Sequence, residues 1–233
     1  RAQTRGHCFR VLYRGAWGFA ARPDCEAADV EHSARRALEV ARASAAVNPT
    51  PVRLCPEQPQ RGTYRTPVLA DPFDVPTERK VRDLLGPVSD LARRAHVRTA
   101  EGRLLFRRSH TLLLTSEGTD VEQTVTHGSG GMKVIVERDG ELQQRCHPMD
   151  HDGGVAQAGY EMAEALDFAG QTDRLHDEAL ALLSAPPCPA GETTLILDTA
   201  QLVIQIHESC GHPTEGDRAL GEELSLAGGS FLL

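Results

Sequence analysis

Two histidines and a glutamate near the end of the chain could bind and use a metal ion. His207 and Glu208 are adjacent, and His212 follows in the run His-Glu-Ser-Cys-Gly-His. Neutral imidazole nitrogens bind zinc well, and a carboxylate beside the first histidine can act on a metal-bound water without binding the metal itself. Zinc held by His207 and His212 would lower the pKa of that water toward about 7 and polarise a peptide carbonyl, while Glu208 accepts the proton. These residue types therefore favour a catalytic Zn²⁺ site suited to amide hydrolysis.

The spacing of the two histidines is unusual for such a site. Zinc peptidases commonly place two histidines four residues apart on one helical face, whereas His207 and His212 are five apart. At about 100° per residue, five steps along an α-helix separate two side chains by roughly 140°. We therefore predict that the helix ends between the histidines. Gly211 permits left-handed backbone geometry, and Pro213 disfavours the α conformation at the preceding residue. The alternative is that all three side chains are unpaired at an exposed helix end.

The elements that must position this motif follow from hydrophobic periodicity. Apolar residues at helical spacing predict a helix over 201–208, preceded by a strand at 193–197. Near the start of the chain, two short β-type runs at 8–13 and 16–20 flank Arg14-Gly15, which is typical of a tight hairpin. Further strands between residues 97 and 146 predict an antiparallel meander. Helices are predicted at 29–45, 153–168 and 172–183. The segments 77–85 and 88–95 predict either two short helices or one helix kinked at Gly86-Pro87. The pattern predicts an α+β fold, with an antiparallel sheet and flanking helices.

A proline-rich stretch predicts a domain boundary. Residues 186–191 read Pro-Pro-Cys-Pro-Ala-Gly, which suits a linker. We predict an N-terminal α+β domain over 1–185, a linker over 186–192 and the start of a second, metallopeptidase domain over 193–233. Since residues 224–233 are apolar and glycine-rich without a helix cap, we expect this second domain to be incomplete.

Composition disfavours several classes of function. The chain has 233 residues and a formal net charge of -8, which disfavours binding to a nucleic-acid backbone. No apolar run approaches the roughly 20 residues needed to cross a bilayer, so no membrane partner is expected. Six cysteines without short paired spacings favour reduced thiols and a cytoplasmic location.

Several other groups could carry chemistry, each with a structural alternative. Glu215 and Asp217 could accept hydrogen bonds from the metal-binding imidazoles, or form a solvated acidic turn. Cys210 could compete for the metal, but we expect a buried structural thiol. The run 146–151, Cys-His-Pro-Met-Asp-His, gathers metal-binding side chains that nothing downstream completes. Gly-Ser-Gly-Gly at 128–131 lacks the residues of a phosphate-binding loop, so we predict a hairpin loop.

The segment 206–217 resembles a known family signature. Its sequence, Ile-His-Glu-Ser-Cys-Gly-His-Pro-Thr-Glu-Gly-Asp, is similar to the H-E-x-x-G-H-x-x-E-G-D motif of the TldD/PmbA peptidases, also called modulators of DNA gyrase. Residues 11–18, 71–73 and 116–118 look like the N-terminal domain of the same family. The resemblance, closest to the TldD-like branch, implies a metallopeptidase with His207 and His212 as zinc ligands and Glu208 as general base. It also implies a third ligand, a cysteine beyond residue 233.

The resemblance further implies partners and a substrate. Peptide substrates, short or unfolded, would be enclosed in a dimer formed with a PmbA-like homologous subunit or with a second copy of the chain. Two alternatives to an enzyme remain open at this point. The chain could be a non-catalytic dimerisation or binding module with a structural or absent metal, or a degenerate fragment that folds only in part.

Overall fold

A computed structural model describes residues 2–23, 25–148, 153–225 and 228–232. The chain divides into two compact units, residues 1–59 and 60–233. Among the described residues, no helix is both long and apolar enough to cross a membrane. The predicted domain boundary at 186–192 stays a prediction.

The first unit is a hairpin covered by one helix. Strands β1 (His7–Tyr13) and β2 (Ala16–Arg22) pair antiparallel, and helix α1 (Ala27–Ala45) follows. The turn residues Arg14 and Gly15 both have positive φ, as a tight two-residue hairpin requires. Ala37 and Ala41 of α1 are fully buried, and the predicted hairpin and helix are both confirmed.

The second unit is built on a five-stranded sheet. Two long strands, β4 (Val97–Leu114) and β5 (Asp120–Arg138), form an antiparallel pair. Strands β6 (Glu141–His147) and β7 (Gly154–Ala156) also pair antiparallel with β5, while β3 (Arg61–Arg65) pairs with it in parallel. The α+β class is confirmed, but the sheet is mixed rather than purely antiparallel, because the edge strand β3 pairs in parallel with β5.

Helices α2 (Thr77–Ala92), α3 (Glu161–Ala165) and α4 (Thr172–Leu182) pack on this sheet. The core combines alternate residues of β5 with α2, α4 and the segment before α4; its buried members are Leu91, Met132, Val134, Val136, Phe168, Leu175 and Ala179. The helix prediction for 153–168 was wrong in detail, because this segment holds β7 and only the short α3. Over 77–95 the structure has a single helix, α2, with Gly86-Pro87 inside it and Pro87 buried.

The predicted glycine hairpin loop at 128–131 was wrong. These residues lie in the middle of β5, where packed side chains leave no room for a Cβ atom at Gly128 or Gly130. A Cβ atom at Gly128 would lie 2.5 Å from Met162 of α3, and one at Gly130 would lie 2.8 Å from Leu166. The glycines therefore serve close packing of the sheet against its helices rather than a turn.

Candidate metal centre

Helix α5 (Thr199–Ile206) leads directly into the histidine motif. The Asp198 carboxylate accepts a hydrogen bond from the backbone N–H of Gln201 at 3.1 Å, which caps the start of the helix. The helix predicted at this position is confirmed. The strand predicted at 193–197 is absent, since these described residues have no regular structure, and Leu195 and Ile196 are exposed.

The helix does not end between the two histidines, contrary to the prediction. It widens into a π-helical turn over His207–Gly211, in which the N–H of His212 donates to the carbonyl of His207. Gly211 keeps right-handed helical backbone angles, and so does His212 despite the proline that follows it. Because a π turn closes hydrogen bonds between residues five apart, it places positions i and i+5 one above the other. The five-residue spacing thus requires a wider turn, not a break.

This turn brings the predicted site residues together. One potential ligand atom from each of His207, Glu208 and His212 lies within 4.8 Å of the other two. The imidazole rings meet edge to face with their centroids 4.6 Å apart, and Nε2 of His212 is 3.8 Å from Oε2 of Glu208. His207 and Glu208 are exposed, while His212 is half-buried. Two imidazoles and one carboxylate converging in this way form a donor set that suits zinc.

The carboxylate of Glu215 contacts the Nδ1 side of the His212 ring, away from the nitrogen that faces Glu208. Oε1 of Glu215 lies 2.9 Å from Nδ1 of His212, and Oε2 of Glu215 accepts a hydrogen bond from Nε of Arg218 at 2.7 Å. The Arg218 guanidinium, followed by the His212 ring, lowers the pKa of Glu215. A carboxylate in this position fixes the orientation of a metal-binding imidazole. Asp217, the other acidic candidate, instead accepts from the N–H of Arg218 at 2.9 Å.

Sequence reasoning missed Arg218. Its position three residues after Glu215 is compatible with an ion pair on one helical turn, but the same spacing occurs at many exposed pairs. Cys210 was also misjudged, since its thiol is exposed rather than buried. It does not belong to the converging set found among the described residues.

The run 146–151, Cys-His-Pro-Met-Asp-His, gives no metal site among the described residues. Cys146 and His147 lie in β6, and residues 149–151 of the run fall outside the described residues. Both ring nitrogens of His147 are already engaged, with Nε2 lying 2.8 Å from the carbonyl of Leu166 and Nδ1 lying 3.2 Å from a guanidinium nitrogen of Arg174. Burial lowers the pKa of His147, so its neutral form is favoured.

Comparison with known protein families supplies the context for the site. Residues 70–183 match the central domain of PmbA/TldA metallopeptidases, and residues 1–41 match domain 1 of the same proteins. Together the two matches span about two-thirds of the chain. The chain belongs to the PmbA/TldD family. The histidine motif lies beyond the residues matched by these two domains, so its role is argued from its own geometry.

Individual relatives agree with this membership of the PmbA/TldD family. A metalloprotease of Methanocaldococcus jannaschii is 24% identical over 217 residues, covering 92% of this chain and 46% of its own length. Two solved structures, each described as a candidate modulator of DNA gyrase, share the fold. The structure from Bacteroides thetaiotaomicron has a TM-score of 0.68 at 13% sequence identity, and the match covers 94% of this chain and 49% of that one. The structure from Thermotoga maritima has a TM-score of 0.56 at 17% sequence identity, and the match covers 80% of this chain and 39% of that one. The chain thus spans less than half the length of the relatives it matches.

Proposed function

We propose that the protein is a zinc metallopeptidase that hydrolyses short or unfolded peptides. The observation that carries the proposal is the convergence of His207, Glu208 and His212 on one face of a π turn, in a chain of a metallopeptidase family. The metalloprotease from Methanocaldococcus jannaschii, matched over most of this chain, supports the same class of reaction.

In the proposed site, His207 and His212 hold the zinc ion and Glu208 acts as general base. Zinc bound there would lower the pKa of a bound water and would polarise a peptide carbonyl as a Lewis acid. Glu208 is next to the first ligand in sequence, and its Oε2 lies on the Nε2 side of the His212 ring. An exposed carboxylate there is free to take a proton from water and pass it to the leaving amine.

The proposal extends to the rest of the protein. A third ligand, a cysteine beyond residue 233, would complete three protein ligands and leave one position for water, as catalytic zinc sites require. We further propose a cytoplasmic enzyme that works as a dimer, with either a PmbA-like subunit or a second copy. The second domain would begin after the linker at 186–192.

The test uses the protein encoded by the complete gene, assayed for zinc content and for hydrolysis of a peptide panel. Glu208→Gln should keep one zinc per chain and lose turnover, because the amide cannot accept the proton. Glu222→Gln, an exposed carboxylate nearby, is the matched control and should keep both zinc and turnover.

Three further results separate the alternatives. Replacing both His207 and His212 by alanine should remove the zinc. Full turnover by Glu208→Gln would remove that residue from the mechanism. No zinc in the wild-type protein would instead favour the non-catalytic binding module.

A further inference from the structure

Arg218 is the only buried residue in the described part of the chain from 185 to 232. The whole residue is 2% exposed, whereas the described residues around it, over 185–225 and 228–232, are half-buried or exposed. An arginine is among the residues least often buried unless it is paired, since desolvating its charge is costly. We therefore regard the charged side chain of Arg218 as the centre around which the described part of this segment is arranged.

The guanidinium of Arg218 is satisfied on two sides. Nη1 donates to the backbone carbonyls of Ser225 and Gly228, at 2.6 and 2.9 Å, and Nε donates to Oε2 of Glu215 at 2.7 Å. The planar guanidinium holds its donors in a fixed fork, so binding the two carbonyls also fixes the direction of Nε. The carbonyls of Ser225 and Gly228 are therefore the anchor, and Glu215 is the group that Arg218 orients.

The aimed carboxylate determines which nitrogen of His212 carries the proton. An ionised carboxylate only accepts hydrogen bonds, so Oε1 of Glu215, 2.9 Å away, requires a proton on Nδ1 of His212. In the neutral ring, Nε2 then holds the free lone pair. Nε2 is also the nitrogen that faces Glu208, at 3.8 Å from its Oε2.

We propose that Arg218 is a positioning residue, which holds Glu215 so that His212 is fixed in the Nδ1–H tautomer with Nε2 free for zinc. The tautomer part of this statement stands on the hydrogen bonds alone, and the zinc part rests on the proposed function. Since the side chain of Glu215 is 43% exposed, it has room to turn into solvent once the Arg218 contact is lost. A neutral His212 would then populate both tautomers, and only one of them can bind zinc through Nε2.

The experiment measures two quantities on the full-length protein for Arg218→Gln, Arg218→Lys and Glu215→Gln. The first is zinc affinity by chelator competition, and the second is the tautomer of His212 in zinc-free protein, from ¹⁵N shifts of the imidazole at about pH 8.5, where an ordinary histidine is neutral. Arg35→Gln, an exposed arginine of α1, is the matched control and should change neither.

Arg218→Gln should weaken zinc binding by about 10–100-fold, the usual effect of losing the support of a metal-binding histidine, and should mix the tautomers. Arg218→Lys keeps the charge but not the fork, so it should recover part of both. Glu215→Gln leaves the bonds of Arg218 to Ser225 and Gly228 in place, so it tests the same chain of contacts with the anchor intact; it should mix the tautomers as well.

The outcomes distinguish this inference from the proposed function. Zinc affinity within twofold of wild type, with an unchanged Nδ1–H tautomer in Arg218→Gln, overturns the positioning role. If Arg218→Gln does not fold, the Lys and Glu215 variants decide, and an unchanged tautomer in both has the same meaning. If the wild-type protein binds no zinc but the tautomers still mix in these variants, the proposed function fails while the positioning of His212 stands.

Discussion

Adding one methyl group at Gly128 should destabilise the second unit. Gly128 lies in the middle of β5, and a Cβ there would sit 2.7 Å from Cε1 of Phe106 and 2.5 Å from Cε of Met162. Ordinary contact begins at about 3.4 Å, so the Phe106 ring would have to retreat by about 0.7 Å. That ring packs against the buried Tyr160, with centroids 5.7 Å apart, so it has little free space to move into.

The matched control is Gly62→Ala in the edge strand β3, where a Cβ would meet nothing within 4 Å. Both substitutions reduce the conformational freedom of the unfolded chain by a similar amount, about 0.4–1 kcal/mol in favour of folding. Their difference therefore isolates the steric cost at Gly128, which overpacking of a well-packed interior sets at about 1–3 kcal/mol.

Because the chain has two compact units, the assay should be local. Hydrogen exchange of β5 and α3 peptides, measured by mass spectrometry on the full-length protein, reports the free energy of opening of this region. The Gly128→Ala protein should exchange faster there than the Gly62→Ala protein. Equal protection in the two variants would refute the explanation of the glycine run as a close-packing device.

Two further predictions concern the histidines. Inserting one alanine after Ser209 would place the motif histidines six residues apart, one more than the five-residue hydrogen bond of the π turn brings together, so zinc content should fall sharply; wild-type zinc content would contradict the role given to the π turn. Burial lowers the pKa of His147 below its ordinary value of about 6.5, so the unfolded chain binds a proton more readily there. Its contribution to stability should be complete above about pH 6.5 and decline as the pH falls through the lowered value, and thermal unfolding of His147→Gln across pH should show a flatter dependence than wild type.

Local sequence signals were sufficient where short-range chemistry decides the conformation. The first hairpin follows from Arg14-Gly15, and α1 and α4 follow from apolar residues at helical spacing, each within about two residues of its observed bounds. They failed where distant contacts decide. Gly128 to Gly131 has the composition of a turn, but it pairs with neighbouring strands on both sides, and the missing side chain of Gly128 makes room for Phe106 and Met162. Likewise Pro87 interrupts a helical pattern without ending the helix, since it is buried inside α2.

The candidate site was predictable in its members but not in its geometry. The residue types of His207, Glu208 and His212 are enough to predict a metal site and its chemistry. Their convergence depends on a π turn, and the α-helical period of 100° per residue does not describe such a turn. An α-helix can bring residues five apart together only if it ends between them, which is why a helix end was predicted there. Arg218 escaped notice for a related reason, because its importance comes from burial, and burial depends on the carbonyls of Ser225 and Gly228 folding back over it.

The residues after the motif explain why the helix widens there. In a continued α-helix, residue 213 would donate its N–H to the carbonyl of Ser209, but Pro213 has none to donate. The hydroxyl of Thr214 lies 2.8 Å from the carbonyl of Cys210 and 3.0 Å from that of Gly211, so its single O–H donates to one of them or is shared between the two. At the C-terminal side of the wide turn, Pro213 thus prevents α-type backbone pairing, and the Thr214 side chain provides a hydrogen bond in its place. The proposed functional unit accordingly extends from the motif histidines through Thr214 to Arg218, since the first part makes the proposed ligands converge and the last part orients one of them.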